Sequence, residues 1–190
     1  MSSTVEVDEK QLVEGILDRV ASDLAMIIDR DLLIEGVAVE RQDARPAGEG
    51  SIHISFKLCF DTPEGESHGC LLMPLADAVS VAAYLMMAPD EEVAEHRGIE
   101  DLDRSMKDAV LEVGNFVAGA ADAVLHNWYP EGYSVRSAGC QGVRADVRPA
   151  FPYEEGTELI VGKCTSQVHE YDSFDLLLLL PVLAGCVASG

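Results

Sequence analysis

The same order of helix-like and strand-like patterns occurs twice along this sequence. The segment that begins at Gln11 aligns without gaps with the segment that begins at Ala109, at a constant offset of 98 residues. This alignment places Glu14 on Glu112. Self-similarity at a fixed spacing is typical of an internal duplication. A chance likeness between two amphipathic helices is the alternative.

Each half continues after its helix and strand with a predicted hairpin. The last strand of each hairpin is apolar and ends in a proline, Pro74 in the first half and Pro181 in the second. The alignment therefore predicts two pseudo-repeats, at about 9–88 and 103–183, related by a pseudo-twofold axis. The acidic, polar segment 88–103 is predicted to be the linker between them.

The periodicity of apolar residues indicates the class of fold. Residues with helical spacing and one apolar face predict helices at 9–30, 75–87 and 108–128. Alternating or continuous apolar runs predict strands at 32–40, 51–60, 67–74, 133–140, 143–148, 157–168 and 173–181. We therefore predict one domain, residues 1–190, of the α+β class. It resembles an α/β sandwich, in which a largely antiparallel or mixed β-sheet packs with long helices.

The composition excludes several classes of partner. The formal net charge is -21, and such a chain repels the phosphates of nucleic acids and of anionic membranes. The five cysteines show no Cys-x-x-Cys spacing, and the acidic start does not resemble a signal peptide. The apolar run from Leu176 is too short to span a membrane. We expect a cytoplasmic protein that binds neither nucleic acid nor membrane.

The predicted helix at 108–128 carries residues that do not favour helices. Each glycine in a helix interior costs about 0.5–1 kcal/mol relative to alanine, and this helix contains Gly114 and Gly119. Steps of three and four residues place a set of polar and small residues on one face. The set is Asp108, Glu112, Asn115, Gly119, Asp122 and His126.

An ordinary solvated helix face is one interpretation of this stripe. A metal site is a poor interpretation of the stripe, because His126 and the acids span several turns and no second histidine lies at the spacing of a ligand pair.

The stripe resembles the signature of a known family. Asp108, Glu112 and Asn115 match the Asp/Ser-x3-Glu-x2-Asn-x22-Pro pattern of the CheC/CheX/FliY phosphatases of bacterial chemotaxis. The segment GCLLMPLADAVSVAAYLM at 69–86 is also similar to that family. The sequence departs from the pattern at Ala138, where the family has proline. A single motif copy resembles CheX rather than CheC, and the resemblance implies a homodimer.

The resemblance implies a phosphatase that acts on a phosphorylated response-regulator receiver domain of the CheY type, in chemotaxis or two-component signalling. Asn115 would orient the attacking water, and Glu112 would bind a receiver lysine. Asp108 would support the contact or cap the helix, and Gly114 and Gly119 would allow close approach. No metal or cofactor is expected in this chain, because the Mg²⁺ would belong to the receiver.

Two other functions stay open at this point. One is a non-catalytic receiver-binding or switch-complex module with the same fold, which the loss of proline at Ala138 favours. The other is an unrelated cytosolic ligand-binding or sensory domain. A pocket with convergent polar groups away from the stripe would favour that second alternative.

Overall fold

The computed structural model describes residues 6–188 of the chain. The helices are α1 (Glu9–Ile28), α2 (Leu75–Leu85), α3 (Asp90–His96) and α4 (Arg104–Trp128). The strands are β1 (Val7–Asp8), β2 (Leu32–Gln42), β3 (His53–Thr62), β4 (Gly65–Pro74), β5 (Ser134–Val143), β6 (Leu159–Val168), β7 (Phe174–Pro181) and β8 (Cys186–Val187).

Six of the strands form one antiparallel sheet in the order β2-β6-β7-β4-β3-β5. The short strands β1 and β8 pair with each other in parallel. Helices α1, α2 and α4 cover one face of the sheet, where most of the buried apolar side chains form a single cluster. The predicted α+β class, with an antiparallel sheet packed against long helices, is confirmed.

The order of the strands is symmetric between the two halves of the chain. If β2, β3 and β4 of the first half are exchanged with β5, β6 and β7 of the second, the sheet order simply reverses. Both outer strand pairs also contain a bulge, at Gly36 in β2 and at Gly139 in β5, and both glycines have positive φ. A duplicated unit would give this arrangement, and the duplication itself stays a prediction.

The two long helices correspond at an offset that differs by one residue from the sequence alignment. The nine buried positions of α1 all fall on buried positions of α4 when the offset is 97, the difference between Glu9 and Met106. Packing thus aligns Gly15 with Glu112 and Asp18 with Asn115. The offset of 98 matched Glu14 to Glu112 by residue type, whereas the buried face of each helix determines the structural correspondence.

One local prediction is wrong, and the predicted linker has structure of its own. The segment predicted as a linker contains α3, whose one buried side chain, Val93, anchors it to the body of the protein. The predicted strand at 143–148 does not form, because β5 ends at Val143 and Asp146 turns the chain in a left-handed conformation. The backbone N–H of Asp146 donates to the carbonyl of Gly48, 2.8 Å away, which holds this turn beside the loop after β2.

The other face of the sheet is partly covered by the long connection between β5 and β6. Phe151 and Tyr153 from this connection pack on a second, smaller apolar cluster formed by β4, β6 and β7. Arg45 lies over the ring of Tyr153, with 5.0 Å between its guanidinium carbon and the ring centre. Among the described residues, α4 alone is long and apolar enough to meet the length and composition criteria for a membrane span, and about half of it is buried inside the protein.

Candidate functional site

Helix α4 is positioned by a capped start and by one buried face. The side chain of Asp103 accepts a hydrogen bond from the backbone N–H of Met106 over 2.8 Å, which satisfies one of the free donors at the helix start. Val113, Val117 and Ala121 are fully buried against the sheet and the other helices. The opposite face of α4 is therefore held in a fixed direction toward solvent.

Gly114 belongs to the buried face of α4 and not to the exposed one. A Cβ atom at this position would lie 3.0 Å from Cys140 Sγ and 3.4 Å from a ring carbon of Phe56. Glycine therefore allows α4 to approach β5 and β3 closely. The expectation that Gly114 brings the helix close to a partner is wrong, because this position faces the core.

Four of the predicted residues lie on the exposed side of α4, and we call Asp108, Glu112, Asn115 and Gly119 the motif face. The Nδ2 of Asn115 donates to Glu112 Oε2 over 2.9 Å, so the amide and the carboxylate form a directly bonded pair. A Cβ at Gly119 would meet no atom of the described chain within 4 Å outside the helix itself. The motif face thus presents an acid–amide pair beside an open, flat position.

Asp108 makes only a weak ionic contact at the start of the motif face. Its carboxylate lies 4.0 Å from the guanidinium of Arg104, and both side chains are largely exposed. Exposed pairs of this kind contribute little to stability. Asp108 does not cap α4, because Asp103 occupies the cap position.

The last two residues of the predicted stripe have a different role. Asp122 Oδ1 accepts a hydrogen bond of 2.7 Å from the backbone N–H of Val135, at the start of β5. The Nδ1 of His126 lies 2.8 Å from the carbonyl oxygen of Asp122. Asp122 therefore joins α4 to the sheet, and its carboxylate is already engaged in the free protein.

The position of the missing proline coincides with the bulge of β5. Ala138 is exposed and lies where the register between β3 and β5 shifts, next to Gly139 with a φ of 92°. β5 is an edge strand, and bulges on edge strands are among the few places in a sheet that accept proline. The bulge forms in this chain without the proline of the family pattern.

An apolar groove of about 380 Å³ runs beside the motif face. Lys107 and Leu111 of α4 line one side of the groove, and Cys140 and Gln141 of β5 line the other. Leu111 is 44% exposed, although it lies between Asp108 and Glu112 in the sequence. The groove is not predicted by the sequence patterns above; the available signal is Leu111, an apolar side chain among exposed polar neighbours.

A larger cleft of about 830 Å³ lies away from the motif face. Its lining includes three partly or fully buried polar residues: His53, Asp77 and Arg97. Arg97 Nη1 donates to Asp77 Oδ1 over 2.9 Å, and the guanidinium lies 4.0 Å from the ring centre of Tyr171. Burial raises the pKa of the Asp77 carboxyl, and the bond from Arg97 opposes that rise.

The comparisons with known proteins report on the fold. No protein-family model and no curated protein matches the chain. Solved structures do match it over most of its length. FliY of Thermotoga maritima superposes with a TM-score of 0.63 at 14% identity, covering 91% of this chain and 87% of that one.

Two further structures give the same result. The FliM middle domain of H. pylori has a TM-score of 0.61 at 9% identity, covering 92% of this chain and 90% of its own. CheX of Desulfovibrio desulfuricans has a TM-score of 0.54 at 14% identity, covering 89% and 99%. The chain has the CheC/CheX/FliY fold. This confirms the fold that the motif on α4 predicted.

Proposed function

We propose that this protein is a phosphatase that removes the phosphoryl group from the aspartate of a CheY-like receiver domain, in chemotaxis or a related two-component pathway. The observation that carries the proposal is the bonded pair of Glu112 and Asn115 on the exposed face of α4. The pair lies on a rigid helix, it faces solvent, and the open position at Gly119 beside it leaves room for another protein surface.

The chemistry asks little of the catalyst beyond positioning. Water attacks the phosphorus of the acyl phosphate, the bond to the aspartate oxygen breaks, and phosphate and a free carboxylate are the products. Placing the water in line is the main task of such a catalyst. The Asn115 carbonyl oxygen can accept a hydrogen bond from that water. A neutral amide also adds no charge repulsion against the phosphoryl oxygens, whereas a carboxylate there would.

Glu112 supplies the contact that holds the partner. Its carboxylate is exposed and can bind a receiver lysine through a charge-assisted hydrogen bond. In the free protein the same carboxylate accepts the Asn115 amide, which fixes the amide before the partner arrives. Asp108 adds negative charge one turn earlier. In this proposal the Mg²⁺ required for the reaction is bound by the receiver, and the phosphatase brings no cofactor.

The structural neighbours support a role of this fold in chemotaxis, and they include proteins named FliY, CheX and FliM. The FliM structures include complexes with FliG and with SpeE. Because FliM has this fold and is found in complexes with other proteins, a binding module is the main alternative. Asn115 favours the enzyme, since a protein that only binds has no need of an amide next to Glu112.

The cleft at His53 is the observation that favours a ligand-binding domain. Its best-placed charged groups are already paired, because Arg97 binds Asp77 and also donates to Ser80 Oγ over 2.7 Å. These bonds connect Arg97, the residue that follows α3, to α2. We therefore favour the motif face as the functional site. A homodimer and a cytoplasmic location are part of the proposal by resemblance.

The test is phosphate release from a panel of phosphorylated receiver domains with Mg²⁺. We expect the wild-type protein to accelerate release from at least one receiver and Asn115→Ala to lose about 100-fold or more of that acceleration. Asn127→Ala is the matched control, because Asn127 is also exposed on α4 but lies outside the motif face. Binding of a receiver without any acceleration would instead identify a non-catalytic module.

A further inference from the structure

The hairpin of β3 and β4 carries a group of potential metal ligands on the face of the sheet away from α4. Phe56, Leu58 and Phe60 of β3 point into the core beneath the helices. Because successive side chains of a strand alternate between the two faces, Cys59 points to the opposite side. Cys59 is 1% exposed and belongs to neither of the two apolar clusters.

The register of the hairpin brings two further ligand types next to Cys59. His68 of β4 is directly opposite Cys59, and Glu66 lies two residues before His68 on the same face. One ligand atom from each of these residues, the Sγ, an imidazole nitrogen and a carboxylate oxygen, lies within 4.8 Å of the other two. Ligand atoms around a tetrahedral zinc ion are about 3.4–3.6 Å apart. Side-chain movements of about 1 Å would close the difference.

Arg136 completes the surroundings of this group. It is opposite Cys59 on β5, and its Nη2 donates to Glu66 Oε1 over 2.6 Å. The second oxygen of Glu66 can then face a metal while Arg136 holds the first, as partners of ligating carboxylates commonly do. Arg136 also forms an ion pair with Asp61, at 3.3 Å.

The net charge of the side chains around Cys59 is negative, which favours binding of a cation. Asp61 and Glu66 outweigh Arg136 by one negative charge, and a Cys59 thiolate would add another. Burial raises the pKa of the Cys59 thiol, and the charge of Arg136 opposes that rise. A bound metal ion would displace the thiol proton, so binding would weaken as the pH falls.

We propose that Cys59, Glu66 and His68 bind one Zn²⁺ ion, with the fourth position open to water or to Asp61. Thiolate and imidazole ligands select zinc over Mg²⁺ and Ca²⁺, which prefer oxygen. The ion would clamp β3 to β4 near their turn. This proposal departs from the expectation that the chain holds no metal, which rests on the family resemblance and on the spacing of His126 and the acids of α4. Cys59 and His68 are joined by the hairpin register. The site is separate from the motif face and does not depend on the proposed function.

The test is a titration of the full chain with Co²⁺, followed by displacement with Zn²⁺. We expect a thiolate-to-Co²⁺ charge-transfer absorption that saturates at one ion per chain, and a rise in the thermal unfolding midpoint with Zn²⁺. Cys59→Ser is expected to abolish the absorption, and His68→Gln and Glu66→Gln to weaken binding at least tenfold. Cys186→Ser is the matched control and should leave binding unchanged.

Two results of these experiments would overturn the proposal. Absence of the thiolate absorption in the folded wild-type protein would overturn it. An absorption that persists at full strength in both His68→Gln and Glu66→Gln would also overturn it, because the thiolate would then belong to another site. His68 and Glu66 are less buried than Cys59, so these two variants keep the test decisive even if Cys59→Ser does not fold.

Discussion

Gly114 and Gly119 are five residues apart on α4 and have opposite surroundings, so the same substitution should have opposite effects. Gly119→Ala should raise the free energy of unfolding by about 0.5–1 kcal/mol, because alanine is the better helix former. Gly114→Ala should lower it by about 1 kcal/mol or more, because the new methyl group meets Cys140 and Phe56. Urea denaturation measures both. Equal effects of the two variants would contradict the packing described for α4.

A large side chain at Gly119 should test docking without disturbing the fold. Gly119→Leu adds bulk where the described chain leaves space, so we expect no loss of stability and at least tenfold weaker binding to the receiver that serves as substrate. Ala94→Leu, at an exposed position of α3, is the matched control. Unaltered affinity of Gly119→Leu in a binding titration would show that the partner does not cover this part of α4.

At the residue scale, the sequence predicted that the polar residues of the motif face share one side of α4. It did not predict the surroundings of the two glycines of that helix. The spacing of Glu112 and Asn115 is enough to place both on one helix face, since that depends only on helical geometry. Which face a glycine occupies depends on its neighbours in space. Gly114 is buried only because β5 and β3 pass beneath it, and β3 comes from the other half of the chain.

At the scale of elements, Asp122 is the link between α4 and the edge strand β5. Asp122→Ala would leave the backbone N–H of Val135 without its acceptor. A buried donor without a partner costs about 1–3 kcal/mol, and we expect a loss of that size in the free energy of unfolding. The measurement is again urea denaturation, with Asp108→Ala as the control that should change stability little. Similar values for both variants would show that the bond to Val135 contributes nothing.

The limits of sequence-based prediction are also visible at this scale. The long helices and the strands of the sheet were predicted because their apolar periods are strong. The helix α3 was missed because it is short, mostly acidic and has one buried side chain, Val93. The strands β1 and β8 were missed because two-residue strands have no period of their own. The strand predicted at 143–148 failed because Asp146 turns the chain there.

At the scale of the whole molecule, the fold repeats but the chemistry does not. The sheet order is symmetric under exchange of the two halves. The buried positions of the two long helices align Gly15 and Asp18 of α1 with Glu112 and Asn115 of α4. The acid–amide pair is thus present in α4 and not at the corresponding positions of α1. We therefore expect one catalytic face per chain.

The measurement that tests the central claim most directly separates turnover from binding for the motif face. With a receiver that responds to the wild-type protein, the dephosphorylation rate at saturating receiver and the affinity are measured for Asn115→Ala and Glu112→Ala. We expect Asn115→Ala to lose the enhanced rate almost completely and to keep its affinity. We expect Glu112→Ala mainly to lose affinity, by about tenfold or more. Substantial residual turnover in Asn115→Ala, or equal loss of affinity in both variants, would contradict that claim.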